Sequence, residues 1–292
     1  MPAQNLTFGA WLLVTSELFL VLSGAIIKQF HGEVSTEQIV FFRNVFGLIL
    51  LLPWLAKNGI STLHTQCLSL HFTRALIGVI AMLCFFYSWA HLPLAQAALL
   101  KQTSPFFIPI VAFFWVNETF SWRTGLAILL GFIGVILILN PWENDFLNLG
   151  VLAGLTGAIL AGSSKTSIRK MRATEPAQRI VFYFAAFATL LSIIPAILHW
   201  LPLTWTNIAW LALLSSLATI AQLLLTMAYG YAPAGQLGAF TYSSVIFAAL
   251  LGWLLWNESI HIIMLCGMAI IISAGLLTML GQQNITPTLK TA

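Results

Sequence analysis

Ten runs of about 20 mostly apolar residues fill this chain: 8–27, 38–56, 70–90, 93–116, 122–139, 147–167, 178–199, 207–229, 233–256 and 259–280. About 20 such residues is the length an α-helix needs to cross the hydrocarbon core of a bilayer. Within that core backbone N–H and C=O groups must be satisfied by a helix or a closed barrel. Barrel strands would alternate apolar and polar residues over about ten positions. These runs are continuous and far longer, so the chain reads as an all-α integral membrane protein with ten transmembrane helices. The links between them, marked by His91-Leu92-Pro93, Asn117-Glu118, Asn140-Pro141-Trp142, Pro202 and Ala232-Pro233, leave no room for a soluble domain. The first run lacks a basic leader and is interrupted by Glu17, so it is expected to be a retained span. Cys67, Cys84 and Cys266 form no CxxC pair and are expected to pack rather than bridge.

Only 7% of the residues are charged, against about 25% in a soluble domain. That excludes a soluble enzyme, a nucleic-acid binder and a disordered chain. Lys and Arg gather on the cytoplasmic side of a membrane. With the N-terminus cytoplasmic, that side holds Lys57, Arg74, Arg123, Lys165, Arg169, Lys170, Arg172, Arg179 and Lys290. The other side holds Lys28 and the acidic residues Glu33, Glu37, Glu143 and Asp145. The expectation is a multi-pass plasma (inner) membrane protein with both termini cytoplasmic.

A shift of 140 residues aligns Pro93 with Pro233, Gln96 with Gln236, Ser104 with Ser244, Phe107 with Phe247, Asn117 with Asn257 and Glu118 with Glu258. Spans 1–5 therefore match spans 6–10, in repeats 1–140 and 141–292. An odd number of spans per repeat predicts two five-helix repeats of inverted topology, which is the sequence mark of secondary transporters. The paired Glu118 and Glu258 suggest a repeated structural task, such as holding backbone N–H groups or a neighbouring helix end. Gly150, Gly154, Ala158 and Gly162 form a small-residue face on helix 6, suited to close packing.

The series His91-Leu92-Pro93, Ser104-Pro105, Asn117-Glu118 and Gly134-Val135 resembles the EamA module of the drug/metabolite transporter superfamily. So does Tyr231-Ala232-Pro233, Ser244, Asn257-Glu258 and Gly267 in the second half. Phe42-Arg43-Asn44 with Arg74-Ala75-Leu76-Ile77-Gly78 is similar to a branch that includes carboxylate, amino-acid and S-adenosylmethionine carriers. Ala127 and Ala274 depart from the module, which usually has Gly there. The resemblance implies a ten-helix alternating-access carrier with a central cavity and peripheral helices 5 and 10.

After loop and end charges are set aside, this reading leaves Glu17, Arg43 and Lys101 within spans. A charge at the bilayer centre costs about 2.5–3.5 kcal/mol on insertion scales, and marks a functional site by default. At 1.5 Å per residue Lys101 lies about 12 Å from the outer end of its helix, Arg43 about 8 Å from its outer end, and Glu17 about 13 Å from its inner end. All three can reach one cavity. The 140-residue shift answers them with Gly157, Tyr183 and Thr241, so the cavity is asymmetric with net charge +1. Such a site favours an organic anion, or a zwitterion whose amine meets Glu17. Tyr87, Gln102, Tyr183, Gln222, Thr241 and Tyr242 are candidates to complete it, while Trp89 and Tyr229 sit nearer span ends, where aromatic belts form.

Structural roles stand beside these. Arg43 could snorkel to the interface or pair with Glu17. Lys101 could be held by carbonyls freed near Pro105. Glu17 resembles in location the proton-coupling Glu in the first helix of the superfamily's small multidrug exporters, although its basic neighbours favour a standing ion pair. The leading expectation is a secondary transporter of small organic anions or zwitterions, such as carboxylates or amino-acid-like compounds. The alternative is a proton-coupled exporter of lipophilic cations or drugs that uses Glu17. The six His residues fall in loops or at span ends, and no HExxH or paired-Asp motif is present, so neither an enzyme nor a metal or other cofactor is expected. The partners expected are a small-molecule substrate and the lipid bilayer, with a coupling proton left open and no nucleic acid. Two complete repeats suffice for a functional monomer.

Overall fold

A computed structural model describes residues 6–30, 32–104, 106–107, 110, 122–139, 148–171, 174–231, 238–258 and 262–282. Pro105, Asn117, Glu118, Glu143, Asp145, Arg172, Pro233, Gln236 and Lys290 lie outside the described residues. Among those described there are ten α-helices and no strand: α1 (Leu6–Gln29), α2 (Thr36–Asn58), α3 (Leu68–His91), α4 (Leu94–Lys101), α5 (Trp122–Leu139), α6 (Leu149–Met171), α7 (Ala177–Leu198), α8 (Trp205–Tyr231), α9 (Ser243–Trp256) and α10 (Ile262–Gln282). Five of them, α1, α2, α3, α7 and α8, are long and apolar enough to cross a bilayer. The chain is thus an all-helical, multi-pass membrane protein.

Local chemistry sets the helix ends. Ser35 and Gln38 form a reciprocal capping box at the start of α2. Asn148 Oδ1 accepts the Val151 N–H at 2.9 Å to cap α6, and Thr204 Oγ1 accepts the Asn207 N–H at 3.1 Å to cap α8. Asn257 ends α9 in the left-handed region at φ 51°.

Hydropathy runs without a break through 93–116 and 233–256, but the backbone does not. α4 stops at Lys101 and turns at Gln102-Thr103. The Thr103 N–H reaches Leu100 O and its hydroxyl donates to the same carbonyl at 2.6 Å. In the second half a 3₁₀ turn over Gly238–Tyr242 precedes α9. The interruptions lie at equivalent places under the 140-residue shift, and they touch. Gln102 Nε2 donates to Thr241 O at 3.0 Å and to Ser244 Oγ at 2.8 Å.

The helices pack in a pattern that maps onto itself when each is exchanged for its counterpart five further on. α1 packs on α8 and α6 on α3; α3 packs on α7 and α8 on α2; α1 packs on α9 and α6 on α4. The pairs α2–α7, α4–α9 and α5–α10 are their own mates. On α6 the small face lets α3 and α4 come close: a Cβ at Gly154 would meet Leu100 Cδ1 at 2.7 Å and Ser88 Oγ at 3.0 Å. Outward faces stay apolar, as with Leu190, Ile194, Ile197 and Leu198 on α7, which suits lipid. One departure from the symmetry matters. Among the described residues α1 packs on α3 and α4 more extensively than α6 does on α8 and α9.

Candidate functional site

The extra packing of α1 coincides with a polar latch at the Lys28 end of the bundle. Lys28, in the last turn of α1, donates to Leu92 O at 3.0 Å and forms an ion pair with Glu258 just beyond α9. Glu258 also accepts the Leu94 N–H at the start of α4, at 2.9 Å to Oε2. This N–H belongs to the first turn of a helix and has no partner within it. Gly252 leaves the space into which the Glu258 carboxylate folds back. Four elements are tied at one point. The sequence anticipated such a task for Glu258; its counterpart Glu118 lies outside the described residues.

Deeper in the bundle Glu17 is 4% exposed, and its Oε2 lies 3.9 Å from Lys101 Nζ. The Lys101 ammonium sits 5.8 Å from the Trp89 ring centroid. Trp89 is buried and packs on Gly24 of α1, where an added Cβ would come within 3.0 Å of the indole. Lys101 occupies the last helical position before the α4 interruption, so its side chain projects where regular backbone ends. Discontinuous helices are where transporters of this general architecture place substrate sites.

A second charged group lies between α2, α3, α7 and α8. A small cavity is lined by Arg43, Asn44, Gly47, Leu51, Arg74, Phe184 and Gln222 among others. The guanidinium carbons of Arg74 and Arg43 lie 4.4 and 5.9 Å from the Phe184 ring centroid. Arg43 Nη1 donates to Asn44 Oδ1 at 3.0 Å. Arg74 is 6% exposed, and its Nε and Nη1 find no hydrogen-bond partner among the described residues. One contact joins the helices that carry residues of the two groups: Ser16 Oγ, next in the chain to Glu17, donates to Ala221 O, next in the chain to Gln222, at 2.7 Å.

At the opposite end, Glu175 ties the α6–α7 link to the α2–α3 link. Its carboxylate accepts from Thr65 Oγ1 at 2.6 Å and from Arg179 Nη1 at 2.8 Å, with His71 Nε2 at 4.0 Å. Burial opposes the charge, but the hydrogen bonds from Thr65 and Arg179 and the Arg179 charge outweigh it and hold the carboxyl below the usual carboxylate range.

Comparison with known proteins decides the class. The model of the EamA-like transporter family matches residues 7–140 and again 148–280. The chain belongs to the EamA-like transporter family. It is similar to the pseudopaline exporter CntI of Pseudomonas aeruginosa, at 28% identity over 94% of this chain and 96% of that protein. It is also similar to an S-adenosylmethionine uptake transporter of Rickettsia bellii, at 28% identity over 91% and 92% of the two chains. A riboflavin transporter of Vibrio cholerae shares 26% identity over 85% and 84%. A solved crystal structure with 18% identity matches at a TM-score of 0.64, covering 95% of this chain and 99% of that one, and shows a shared fold. The protein is a small-molecule transporter and not an enzyme.

Within this EamA-like transporter the residues expected at one cavity divide among several places. Glu17 pairs with Lys101, and Arg43 stands apart with Arg74. Gln222 lines the arginine cavity. Gln102 is buried and spans the α4 and α9 interruptions through Thr241 and Ser244. Tyr242 is 3% exposed at the same crossing, and its hydroxyl has no hydrogen-bond partner among the described residues. Tyr87 stacks on His91 at 3.9 Å near the Lys28 end. Tyr183 stacks on His71 and donates to Leu63 O at 2.7 Å, which ties it to the α2–α3 link.

Arg74 corrects the sorting of charges. Counted from the nearest loop it reads as a cytoplasmic end residue. The helix begins at Leu68, so Arg74 lies about 9 Å into it. Among the described residues Arg74 therefore joins Arg43 and Lys101 as a cationic side chain inside a span. The sequence did carry a signal, since Arg74 leads directly into an unbroken apolar run, 75–84.

Proposed function

We propose that this EamA-like transporter moves small organic anions or zwitterions by alternating access. The reading is carried by one observation: Lys101, Arg43 and Arg74 lie inside described helices with Glu17, while Glu175 and Glu258 are already paired with Arg179 and Lys28 at the two ends, which leaves an excess of positive charge in a bundle that must be crossed. Isolated charge in a low-dielectric interior is unfavourable, and a ligand of opposite charge offsets part of that cost. A simple organic cation would meet net repulsion. A zwitterion fits if its amine competes for Glu17. The cargoes named for the relatives, pseudopaline, S-adenosylmethionine and riboflavin, are organic metabolites, in keeping with this class.

The proposed architecture is ten spans in two inverted modules, 1–140 and 141–292, acting as a monomer in the plasma (inner) membrane with both termini cytoplasmic. The self-mapping packing pattern and the equivalent interruptions of α4 and α9 support it. In this orientation the Lys28–Glu258 latch faces outward, and the tighter packing of α1 on α3 and α4 describes a conformation closed on that side.

The test is binding of metabolites grouped by charge, read as a thermal shift of purified protein with and without Lys101→Gln. Stabilisation by anions or zwitterions that weakens in the variant is expected. Stabilisation by lipophilic cations only, together with proton flux abolished by Glu17→Gln in proteoliposomes, overturns the reading in favour of proton-coupled cation export.

A further inference from the structure

The cavity between α2, α3, α7 and α8 holds two guanidinium groups, and no carboxylate lines it among the described residues. Arg74 is more than nine-tenths buried, and two of its nitrogen atoms have no hydrogen-bond partner among the described residues. A buried cation without hydrogen-bond partners is expensive, and persists where something else completes it. Phe184 supports Arg74 from below, with its ring centroid at 4.4 Å from the guanidinium carbon. That contact is the face-on cation–π geometry. Arg43 is fixed from its other side by Asn44. Thr219 and Gln222 of α8 add neutral polar groups to the wall, while Leu51, Val181 and Ala185 keep the remainder apolar.

We infer that Arg43 and Arg74 form an oxyanion-binding site, separate from the Glu17–Lys101 pair, that grips a carboxylate or phosphate group of the transported molecule. The inference rests on the anion or zwitterion reading above and sharpens it. Planar guanidinium donors match the two oxygens of such a group, which a single ammonium does not. The position on α2, α3, α7 and α8 adds a mechanical consequence. α2–α7 and the mated pairs α3–α7 and α8–α2 all meet there, so an oxyanion held between Arg43 and Arg74 joins α2 to α3 of the first half against a wall supplied by α7 and α8 of the second. A cargo long enough to extend from there to α1 and α4 brings its remaining part to Glu17 and Lys101. A carrier with two separated recognition points prefers a substrate with an oxyanion at one end and a polar or charged group at the other.

The experiment uses the full-length protein in detergent or nanodiscs and reads thermal stabilisation by succinate, inorganic phosphate and tetraethylammonium as separate titrations. Wild-type protein is expected to be stabilised by succinate, phosphate or both, and the comparison of these two arms separates carboxylate from phosphate preference. Arg43→Gln and Arg74→Gln are each expected to weaken that affinity at least tenfold, while Lys57→Gln at an exposed helix end leaves it unchanged. If neither glutamine variant folds, Arg74→Lys retains the charge and is expected to lose about tenfold through the missing fork of donors. Unchanged anion affinity in any folded Arg43 or Arg74 variant overturns the inference. If that affinity instead falls only with Lys101→Gln, the anion reading stands and this site does not. Stabilisation by tetraethylammonium alone removes both.

Discussion

Glu258→Gln is the substitution whose effect the structure sets most closely. The carboxylate holds the Lys28 ammonium and the Leu94 N–H at once, and the two side chains are only 16% and 15% exposed. The amide keeps the shape and one acceptor oxygen but removes the charge. Hydrogen bonds to charged groups contribute about 1.5–3 kcal/mol and neutral ones about 0.5–1.5, so each of the two contacts loses about 1 kcal/mol. A negative charge at the first turn of α4 adds about 0.3–1 kcal/mol of dipole interaction, which is also lost. The latched conformation is therefore weakened by about 2–3 kcal/mol relative to an opened one. At 1.4 kcal/mol per factor of ten, the closed-to-open ratio falls about 30- to 100-fold. Spin labels at Gln29 and His91, both exposed near the latch, report the α1–α3 separation by double electron–electron resonance in nanodiscs. The parent is expected to show one short-distance population and the variant a second, longer one. A folded Glu258→Gln protein with an unchanged distance distribution would refute the assignment of Glu258 as a latch.

Three further outcomes follow from other contacts. Lys101→Met leaves Glu17 buried beside an apolar group and is expected to cost about 2–4 kcal/mol, somewhat below the cost of breaking a fully buried pair because Lys101 is partly exposed; adding Glu17→Gln should recover most of it in a double-mutant cycle of unfolding midpoints. Glu175 has a carboxyl held below its ordinary range, so its contribution is complete above the unfolded pKa of about 4.3 and is lost as pH falls through the lower folded value; Glu175→Gln should lower stability by about 1–3 kcal/mol at neutral pH and flatten the acid limb of a thermal-stability profile. Gly78→Ala would place a Cβ 2.5 Å from Phe184 Cε2, and pushing that ring off Arg74 should cost about 1–3 kcal/mol and reduce anion affinity further than the stability loss alone explains.

The helices were legible because hydropathy reports length and little else, and length is what a bilayer demands. The interruption of α4 was hidden for the same reason. Leu99-Leu100 and Phe106-Phe107 flank it, so the average stays high, although Gln102-Thr103-Ser104-Pro105 carries both a polar cluster and a residue without an N–H. Depth along a helix could be counted, and it placed Glu17 and Lys101 at compatible levels. Azimuth could not be counted, because helices that are apolar all round give no moment to orient them. That is why Arg43 was grouped with Lys101, whereas the packing turns it toward Phe184 and Arg74. Tyr183 illustrates the same limit. Its position in the 140-residue alignment matches Arg43, but its hydroxyl serves the α2–α3 link. Glu258 was the reverse case, since its repeat across the two halves pointed to a helix-end task before any contact was known.

The most direct test is flux in proteoliposomes containing the purified protein, with an organic anion, a zwitterion and an organic cation of similar size measured in parallel. Protein-dependent movement of the anion or the zwitterion is expected, at least tenfold slower with Lys101→Gln, and none of the cation. Protein-dependent movement of the cation alone, insensitive to Lys101→Gln and abolished by Glu17→Gln, would contradict the anion or zwitterion reading.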